Sequence, residues 1–136
     1  MKNLEIKYNP DDRIIYITKE GKITHSETKV VLHKLLNEFG KFDTVYILED
    51  SRNSQLEISL GEMREFFLEI KKLTRNRREV RHADLVDTPF ETAMGVIFQQ
   101  MVAPLKSYKY RCFSTDKAAL EWLKKGKFYS PGDEEK

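Results

Sequence analysis

The sequence predicts a single α/β domain built on a mostly parallel sheet, and three observations lead to that fold class. Short runs of strand character alternate with longer segments whose apolar residues recur at helical spacing, the arrangement of parallel strands covered by helices. The run Val45–Leu48 is almost continuously apolar, which is typical of a strand buried on both faces. The segment from Asp84 to Leu123 contains strand, proline-started helix, strand and capped helix with few residues between them.

The first part of the chain predicts a hairpin followed by a helix. Apolar residues alternate with polar neighbours, as in a half-buried strand, at Leu4, Ile6 and Tyr8. A turn over 9–12 leads to a second strand over 13–18, so we expect an antiparallel edge. Thr24 and Glu27 have the spacing of a capping box, and the helix that they begin is predicted to end at Gly40.

The middle of the chain predicts the buried strand and a second helix. Residues 50–54 are polar and follow the strand 45–48, so we expect them to form a loop beyond its end. Ser59 and Glu62 have capping-box spacing and begin a helix. The predicted buried face of that helix consists of Met63, Phe66, Phe67, Ile70 and Leu73.

The next unit is a strand over 83–86 followed by a third helix. Thr88 and Glu91 again have capping-box spacing, with Pro89 at the favoured first helical position, and Pro104 ends the helix. The predicted buried face consists of Phe90, Ala93, Met94, Ile97, Phe98 and Met101. These side chains fit a plain core better than the lining of an apolar pocket.

A last strand over 108–113 and a last helix complete the order β-β-α-β-α-β-α-β-α. We expect Ser114 to cap this helix, which ends near Lys125. The chain has no internal repeat or linker, so residues 1–126 are predicted to form one domain and residues 127–136 a polar C-terminal tail.

Composition narrows the function classes. The 136 residues suit one domain, and 24 basic against 22 acidic residues give a net charge of +2, without a bias toward nucleic acid or anionic membrane. The basic segment 71–82 has no interleaved aromatic residues and fits a solvated helix end, so nucleic-acid binding is not expected.

The single Cys112 excludes an internal disulfide, and no run reaches the roughly 20 apolar residues of a membrane span. We expect a cytoplasmic protein.

Polar residues cluster where two parallel strands are predicted to end, at Asp50, Ser51, Asn53, Ser54, Asp87 and Thr88. Open α/β sheets place ligands at the carboxyl ends of their strands, so these six residues are the candidate binding site. The alternative is that they are turn residues and caps that satisfy their own backbone. The residue types leave both interpretations open.

No pattern in the chain indicates catalysis. The spacing of His25, His33 and His82 does not suit a metal, and no nucleophile, phosphate-loop or paired-carboxylate motif is present. Cys112 shares a strand face with Tyr108, which favours a core thiol over a nucleophile. The sequence predicts no enzyme, no cofactor and no metal.

The element order and the ending of the chain resemble those of STAS domains, and of the stand-alone SpoIIAA-like branch in particular. The residues that carry the resemblance are Ala83–Val86, Thr88-Pro89, Phe113 and Ala119–Leu123. The resemblance covers about residues 4–123. It implies a SpoIIAA-like fold and a non-enzymatic interaction or regulatory module with a protein partner. A carrier of a small apolar or anionic ligand is the alternative, because STAS domains resemble lipid-binding proteins in architecture.

The resemblance also implies a place for phosphorylation. In regulatory STAS domains, a serine pair and a glycine begin the second helix, and one serine accepts phosphate. Placing Gly61 on that glycine puts Ser59 and Leu60 on the serine pair and Ile58 on the usual aspartate. Leu60 then takes the usual phosphoacceptor position and has no hydroxyl. Ser59 is the candidate phosphoacceptor that remains, and a plain helix cap is the favoured alternative.

A homodimer is also predicted. Phe128 and Tyr129 lie beyond the last expected helix, where a monomer offers little core to cover them, so they could pack on a second copy. The alternative is that they fold back on their own domain.

Overall fold

The computed structural model describes residues 4–38, 43–77 and 79–128, with side chains as far as residue 125. Nine elements follow one another in the predicted order. They are β1 (Leu4–Asn9), β2 (Ile14–Thr24), α1 (His25–Glu38), β3 (Thr44–Glu57), α2 (Leu60–Thr74), β4 (Glu79–Leu85), α3 (Pro89–Val102), β5 (Tyr108–Phe113) and α4 (Asp116–Phe128).

The five strands form one sheet in the order β1-β2-β3-β4-β5. β1 runs antiparallel to β2, and every other neighbouring pair is parallel, which confirms the predicted sheet with its antiparallel edge. The hairpin between β1 and β2 closes through a hydrogen bond of 2.7 Å from Arg13 N–H to the Asn9 carbonyl. Arg13 has a φ of 62°, the left-handed conformation that such a tight reversal requires.

Helices cover both faces of the sheet. α1, α2 and α3 each connect one parallel strand to its next neighbour in the same direction, and right-handed crossovers place such helices on a single face. Their buried residues, including Leu35, Ile70 and Phe98, pack with Ile47 into the larger core cluster. α4 covers the opposite face, where Leu123 packs with strand residues in a second cluster.

The first difference from the sequence prediction lies in the central strands. β2 continues to Thr24 and β3 to Glu57, so the polar residues 50–54 lie inside β3, and the expected loop was wrong. The cause is tertiary: after an irregularity between Thr18 and Glu20, the second half of β2 pairs with Asn53–Glu57, beyond the end of β4. Backbone pairing on the β2 side keeps this polar segment extended.

The second difference concerns the orientation of α3. Its most buried residues are Gly95, Phe98 and Val102. Three residues that were predicted to be buried, Phe90, Ala93 and Ile97, are exposed. Gly95 explains the rotation, because an added Cβ there would overlap the Cys112 Sγ of β5. The helix turns its glycine toward the sheet and thereby approaches β5 closely.

Two of the three predicted capping boxes are complete. The side chains and backbones of Thr24 and Glu27 bond reciprocally, and Ser59 and Glu62 do the same. The third is half formed. The Thr88 hydroxyl accepts from Glu91 N–H, but the Glu91 carboxylate turns to β3 and accepts from Leu56 N–H at 3.3 Å.

The ends of α4 differ from the prediction. Thr115, and not Ser114, provides the cap, since its hydroxyl accepts from Ala118 N–H at 3.2 Å. The helix continues to Phe128, so the first two residues of the predicted tail are helical. Residues 129–136 and the expected stop at Gly40 lie outside the described residues, as do the side-chain contacts predicted for Phe128 and Tyr129.

Candidate functional site

The six polar residues predicted at the strand ends have different environments, because four of them lie within β3 and Asp87 and Thr88 lie between β4 and α3. Asp50 is on the α4 face, where its carboxylate binds the Arg52 guanidinium through two contacts of 2.9 Å. Hydrogen bonding from Arg52 holds the pKa of Asp50 below its usual value. Arg52 also reaches Asp116 at 3.0 Å and so ties β3 to the start of α4.

The remaining predicted residues are two buried serines, two exposed side chains and a helix cap, and the candidate phosphoacceptor Ser59 is also a helix cap. Ser51 is buried on the other face and donates to Asp84 at 2.6 Å, and the Ser54 hydroxyl donates to the Ser51 carbonyl. Asn53 and Asp87 are exposed, and Thr88 caps α3. Ser59 is the complete N-cap of α2, so its hydroxyl already accepts a backbone hydrogen bond.

A network of buried polar side chains crosses the sheet beneath the helices, and the sequence reasoning did not predict it. Lys19 of β2 is 7% exposed and forms a 2.6 Å ion pair with Glu49 of β3. Glu49 also contacts His82 Nε2 of β4 at 2.6 Å, and His82 Nδ1 lies 2.5 Å from the Tyr108 hydroxyl of β5. Since a carboxylate only accepts, Nε2 donates to Glu49, while the hydroxyl of Tyr108 can either donate to Nδ1 or accept from it.

A second branch of the network centres on Asp84. This buried carboxyl accepts from the Ser51 hydroxyl at 2.6 Å and from the Tyr110 hydroxyl at 2.5 Å. The Tyr110 oxygen lies 3.4 Å from the Cys112 sulfur. Glu49 is the cross-strand neighbour of Asp84, so the two acidic side chains lie side by side on one sheet face.

Burial sets the titration of these groups. It raises the pKa of Asp84 to about 6, and the nearby Glu49 carboxylate adds to that effect. Burial opposes ionisation of Glu49 too, but the Lys19 ammonium and His82 outweigh it and hold the Glu49 pKa well below its usual value. Burial also raises the pKa of the Cys112 thiol to about 11, so this thiol is protonated at neutral pH.

The network is closed to a substrate in this conformation. The side chains of Lys19, Glu49 and His82 are 8%, 13% and 13% exposed, and each already has a partner. Phe98 of α3 covers the β5 end, with its ring edge-on to Tyr110 at 5.0 Å between centroids. An acid and a base are therefore aligned, but they bind each other.

Sequence alternation could have indicated part of this network. In β4, His82 and Asp84 are two residues apart and must share a face, and Cys112 was already placed beside Tyr108. The pairing of Glu49 with Lys19 depends on strand register, which no local pattern supplies.

The solvent-facing side of α3 is a different kind of surface. Its exposed positions carry no charge and are Pro89, Phe90, Thr92, Ala93, Val96, Ile97, Gln99 and Gln100. We call this set the outer face of α3. Phe90 is 60% exposed, Val96 45% and Ile97 39%, in a chain of which 34% of residues are charged. Exposed apolar side chains grouped on one helix face indicate a binding surface.

A groove of about 550 Å³ runs along β5 at the edge of the sheet. Four consecutive strand residues, Tyr108–Arg111, line it. Because alternate side chains point to opposite faces, a groove that contacts all four must follow the backbone edge. The segment Val102–Lys106 and the Trp122 side chain form its walls.

The described residues hold no group of three or more His, Cys, Asp or Glu side chains that could bind a metal ion. Within the same part of the chain, no helix is both long enough and apolar enough to cross a membrane.

Several solved structures resemble this fold, and one of them does so over most of its length. It is an uncharacterized protein from the DUF3478 family with a SpoIIAA-like fold, from Shewanella loihica PV-4. The likeness has a TM-score of 0.59 and 17% sequence identity, and it covers 88% of this chain and 91% of that chain. This chain has a SpoIIAA-like fold. The fold prediction is therefore confirmed.

No protein-family model matches the sequence, and no curated protein sequence matches it. At 17% identity, the structural likeness concerns the SpoIIAA-like fold alone.

Proposed function

We propose that this SpoIIAA-like domain is a non-enzymatic interaction module of the cytoplasm, and that it binds a protein partner through the outer face of α3. The observation that carries the proposal is the absence of charge from every exposed position of that face. A solvated helix ordinarily places charged residues on its water-facing side. Here that side has phenylalanine, valine and isoleucine, which gain free energy when a partner removes them from water.

The apolar, uncharged character of the outer face of α3 determines which kind of partner surface can bind it. A charged side chain buried against Phe90 or Ile97 would lose its hydration without gaining a counter-ion. The partner surface is therefore apolar and uncharged at its centre, with polar groups at its rim. The amide side chains of Gln99 and Gln100, at the end of the outer face, suit contacts with such a rim.

The packing of the domain favours this function over the carriage of a small ligand. Side chains from three helices fill the space above one sheet face, and α4 fills the space above the other. An enzyme receives less support still, because the aligned acidic and basic side chains are buried and engaged with each other.

A second copy of the chain is one protein that meets these requirements. A face without charge can pack on its own copy across a two-fold axis without bringing like charges together. Light scattering at high micromolar concentration measures this directly. A dimer that becomes monomeric in Ile97→Lys would identify the second copy as the partner, and a monomer in both would assign the face to another protein.

Photo-crosslinking in the native cells tests the proposed function. A photoreactive amino acid replaces Ile97 in one version and Val30 of α1 in the other. Val30 is 58% exposed and lies beside charged residues, so it is a matched control. We expect one protein, another copy included, to crosslink at position 97 and not at position 30. Equal labelling at both positions, or none at position 97, would contradict the proposal.

A further inference from the structure

β5 is an edge strand with one free side. In the described part of the chain it pairs with β4 alone. The carbonyls of Ser107 and Phe113 accept from β4 and its extension, from Val80 N–H at 2.6 Å and Val86 N–H at 3.0 Å. Because a parallel ladder engages alternate residues, the backbone groups of the even-numbered residues 108, 110 and 112 point away from β4, and residues 108 and 110 also line the groove along the edge.

The groove has an apolar floor and a cationic rim. Val102, Leu105 and the Trp122 ring supply apolar contact, while its ionic side chains are Lys106, Lys109 and Arg111. Among the described residues that line it, none is acidic. The nearby Glu79 carboxylate reaches Lys109 at 3.3 Å, but the Lys109 side chain is still 51% exposed and remains available to a second anion.

The spacing of two of these cations fits an extended peptide. Lys109 and Arg111 are two residues apart on β5, so they emerge on the same sheet face about 7 Å apart. A strand lying alongside β5 presents its own side chains with the same repeat. Acidic residues at alternate positions of such a strand would therefore meet the two cations directly across the pair.

The same cations argue against a second copy at this edge. Pairing of β5 with β5 of another molecule would bring the cationic side chains of both strands close together, and like charges opposite each other destabilise a strand pair. Positive residues on an edge commonly protect it from self-association. The cations of this groove therefore disfavour pairing with β5 of a second copy and favour pairing with a strand that has acidic side chains.

We propose that the free edge of β5 binds an extended, acidic segment of a partner protein as a sixth strand of the sheet. Backbone hydrogen bonds to residues 108, 110 and 112 hold the segment, and Lys109 and Arg111 select its acidic side chains. This surface adjoins the outer face of α3 at Gln99, which also lines the groove, and it adds a second recognition element to the domain.

Binding of designed peptides tests the proposal. The probe is a fluorescent eight-residue peptide that alternates valine with glutamate, and its matched partner has lysine in place of glutamate. We expect only the acidic peptide to bind. Lys109→Glu combined with Arg111→Glu should weaken binding at least tenfold. Lys34→Glu combined with Lys72→Glu changes the net charge equally at exposed positions elsewhere and should leave binding unchanged.

N-methylated peptides separate strand addition from simple charge attraction. One version has every valine amide methylated and the other every glutamate amide. An added strand turns one set of amides toward β5 and the other toward solvent. We therefore expect one methylated peptide to lose binding and the other to keep it, and the amide protons of residues 108, 110 and 112 to exchange more slowly in the complex.

Three outcomes would overturn the proposal. They are no detectable binding of the acidic peptide, equal binding of the two methylated versions, and binding of decanoate in the groove without binding of the peptide. The last would make the groove a site for a small apolar anion. Phe90→Glu should bind the peptide like the unmodified protein, so the result is independent of the outer face of α3.

Discussion

Asp84 has an environment that an ordinary surface carboxylate never meets. It is 9% exposed, accepts two hydroxyl hydrogen bonds, and lies opposite the Glu49 carboxylate in the sheet. Burial and that neighbouring charge both disfavour ionisation, and they raise the Asp84 pKa from 3.8 to about 6. The ionised form therefore reduces the stability of the fold near neutral pH.

The raised pKa of Asp84 predicts how the unfolding free energy changes with pH. Since the folded pKa of Asp84 is above its unfolded value, its favourable contribution is complete below about pH 4 and is lost as the pH rises through 6. Asp84→Asn cannot ionise. The unfolding free energy of the variant minus that of the original chain should therefore rise by roughly 1–3 kcal/mol between pH 4 and pH 7. Urea unfolding at a series of pH values measures it.

Asp87→Asn is the matched control, because it makes the same chemical change at an exposed position outside the buried network. A difference for Asp84→Asn that stays constant with pH would refute the raised pKa. At this scale the sequence offered little guidance. Asp84 was known to lie on a strand, but its neighbours Ser51 and Tyr110 come from other strands, and only the register brings them together.

At the scale of elements, the contact of α3 with β5 depends on Gly95. A methyl group there would overlap the Cys112 sulfur, whereas the Cys112 Cβ would be 3.6 Å from it, an ordinary contact distance. Gly95→Ala should consequently lower the unfolding free energy by about 1–3 kcal/mol through overpacking, despite the higher helix propensity of alanine.

The contact between Gly95 and Cys112 can also be tested by a rescue experiment. In a Cys112→Ala background the obstructing sulfur is gone, so adding Gly95→Ala should be neutral or stabilise by up to about 1 kcal/mol. Chemical denaturation of the four proteins in this double-mutant cycle gives the coupling. If Gly95→Ala has the same effect in both backgrounds, the close approach of α3 to Cys112 is not what requires glycine.

The cap of α2 supports a prediction about Ser59. Its hydroxyl and the Glu62 carboxylate complete a capping box, so Ser59→Ala should lower stability by about 0.5–2 kcal/mol, while Ser59→Asp should retain most of it. We expect the residue to act as a cap and not as a phosphoacceptor. Stoichiometric phosphate on Ser59, found by intact-mass analysis of protein from its native cells, would contradict that expectation.

Element types were predictable where the local pattern and the tertiary environment agree. Thr24 and Ser59 begin helices at the predicted residues because their caps are local structures. β3 was predicted too short because residues 50–54 are polar, and only their pairing with the far half of β2 makes them a strand. The buried face of α3 was misjudged because Gly95, which has no apolar side chain, determines its orientation.

At the scale of the whole molecule, the order of strands and helices predicted an α/β domain with a mostly parallel sheet, and the resemblance to STAS domains predicted the SpoIIAA-like fold. Short connections between alternating elements leave few ways to build a right-handed parallel sheet. The two proposed binding surfaces were not predictable in the same way. The outer face of α3 depends on the rotation of one helix, and the groove along β5 depends on which strand lies at the edge.

The central claim is that the outer face of α3 binds a protein partner, and a titration with the purified crosslinked partner tests it most directly. Its affinity should fall at least tenfold for Phe90→Glu and for Ile97→Lys, with circular dichroism unchanged, because each places a charge in an apolar contact. Val30→Glu, equally exposed on α1, should bind like the original chain. Unchanged affinity for both α3 variants, or an equal loss for Val30→Glu, would contradict the account.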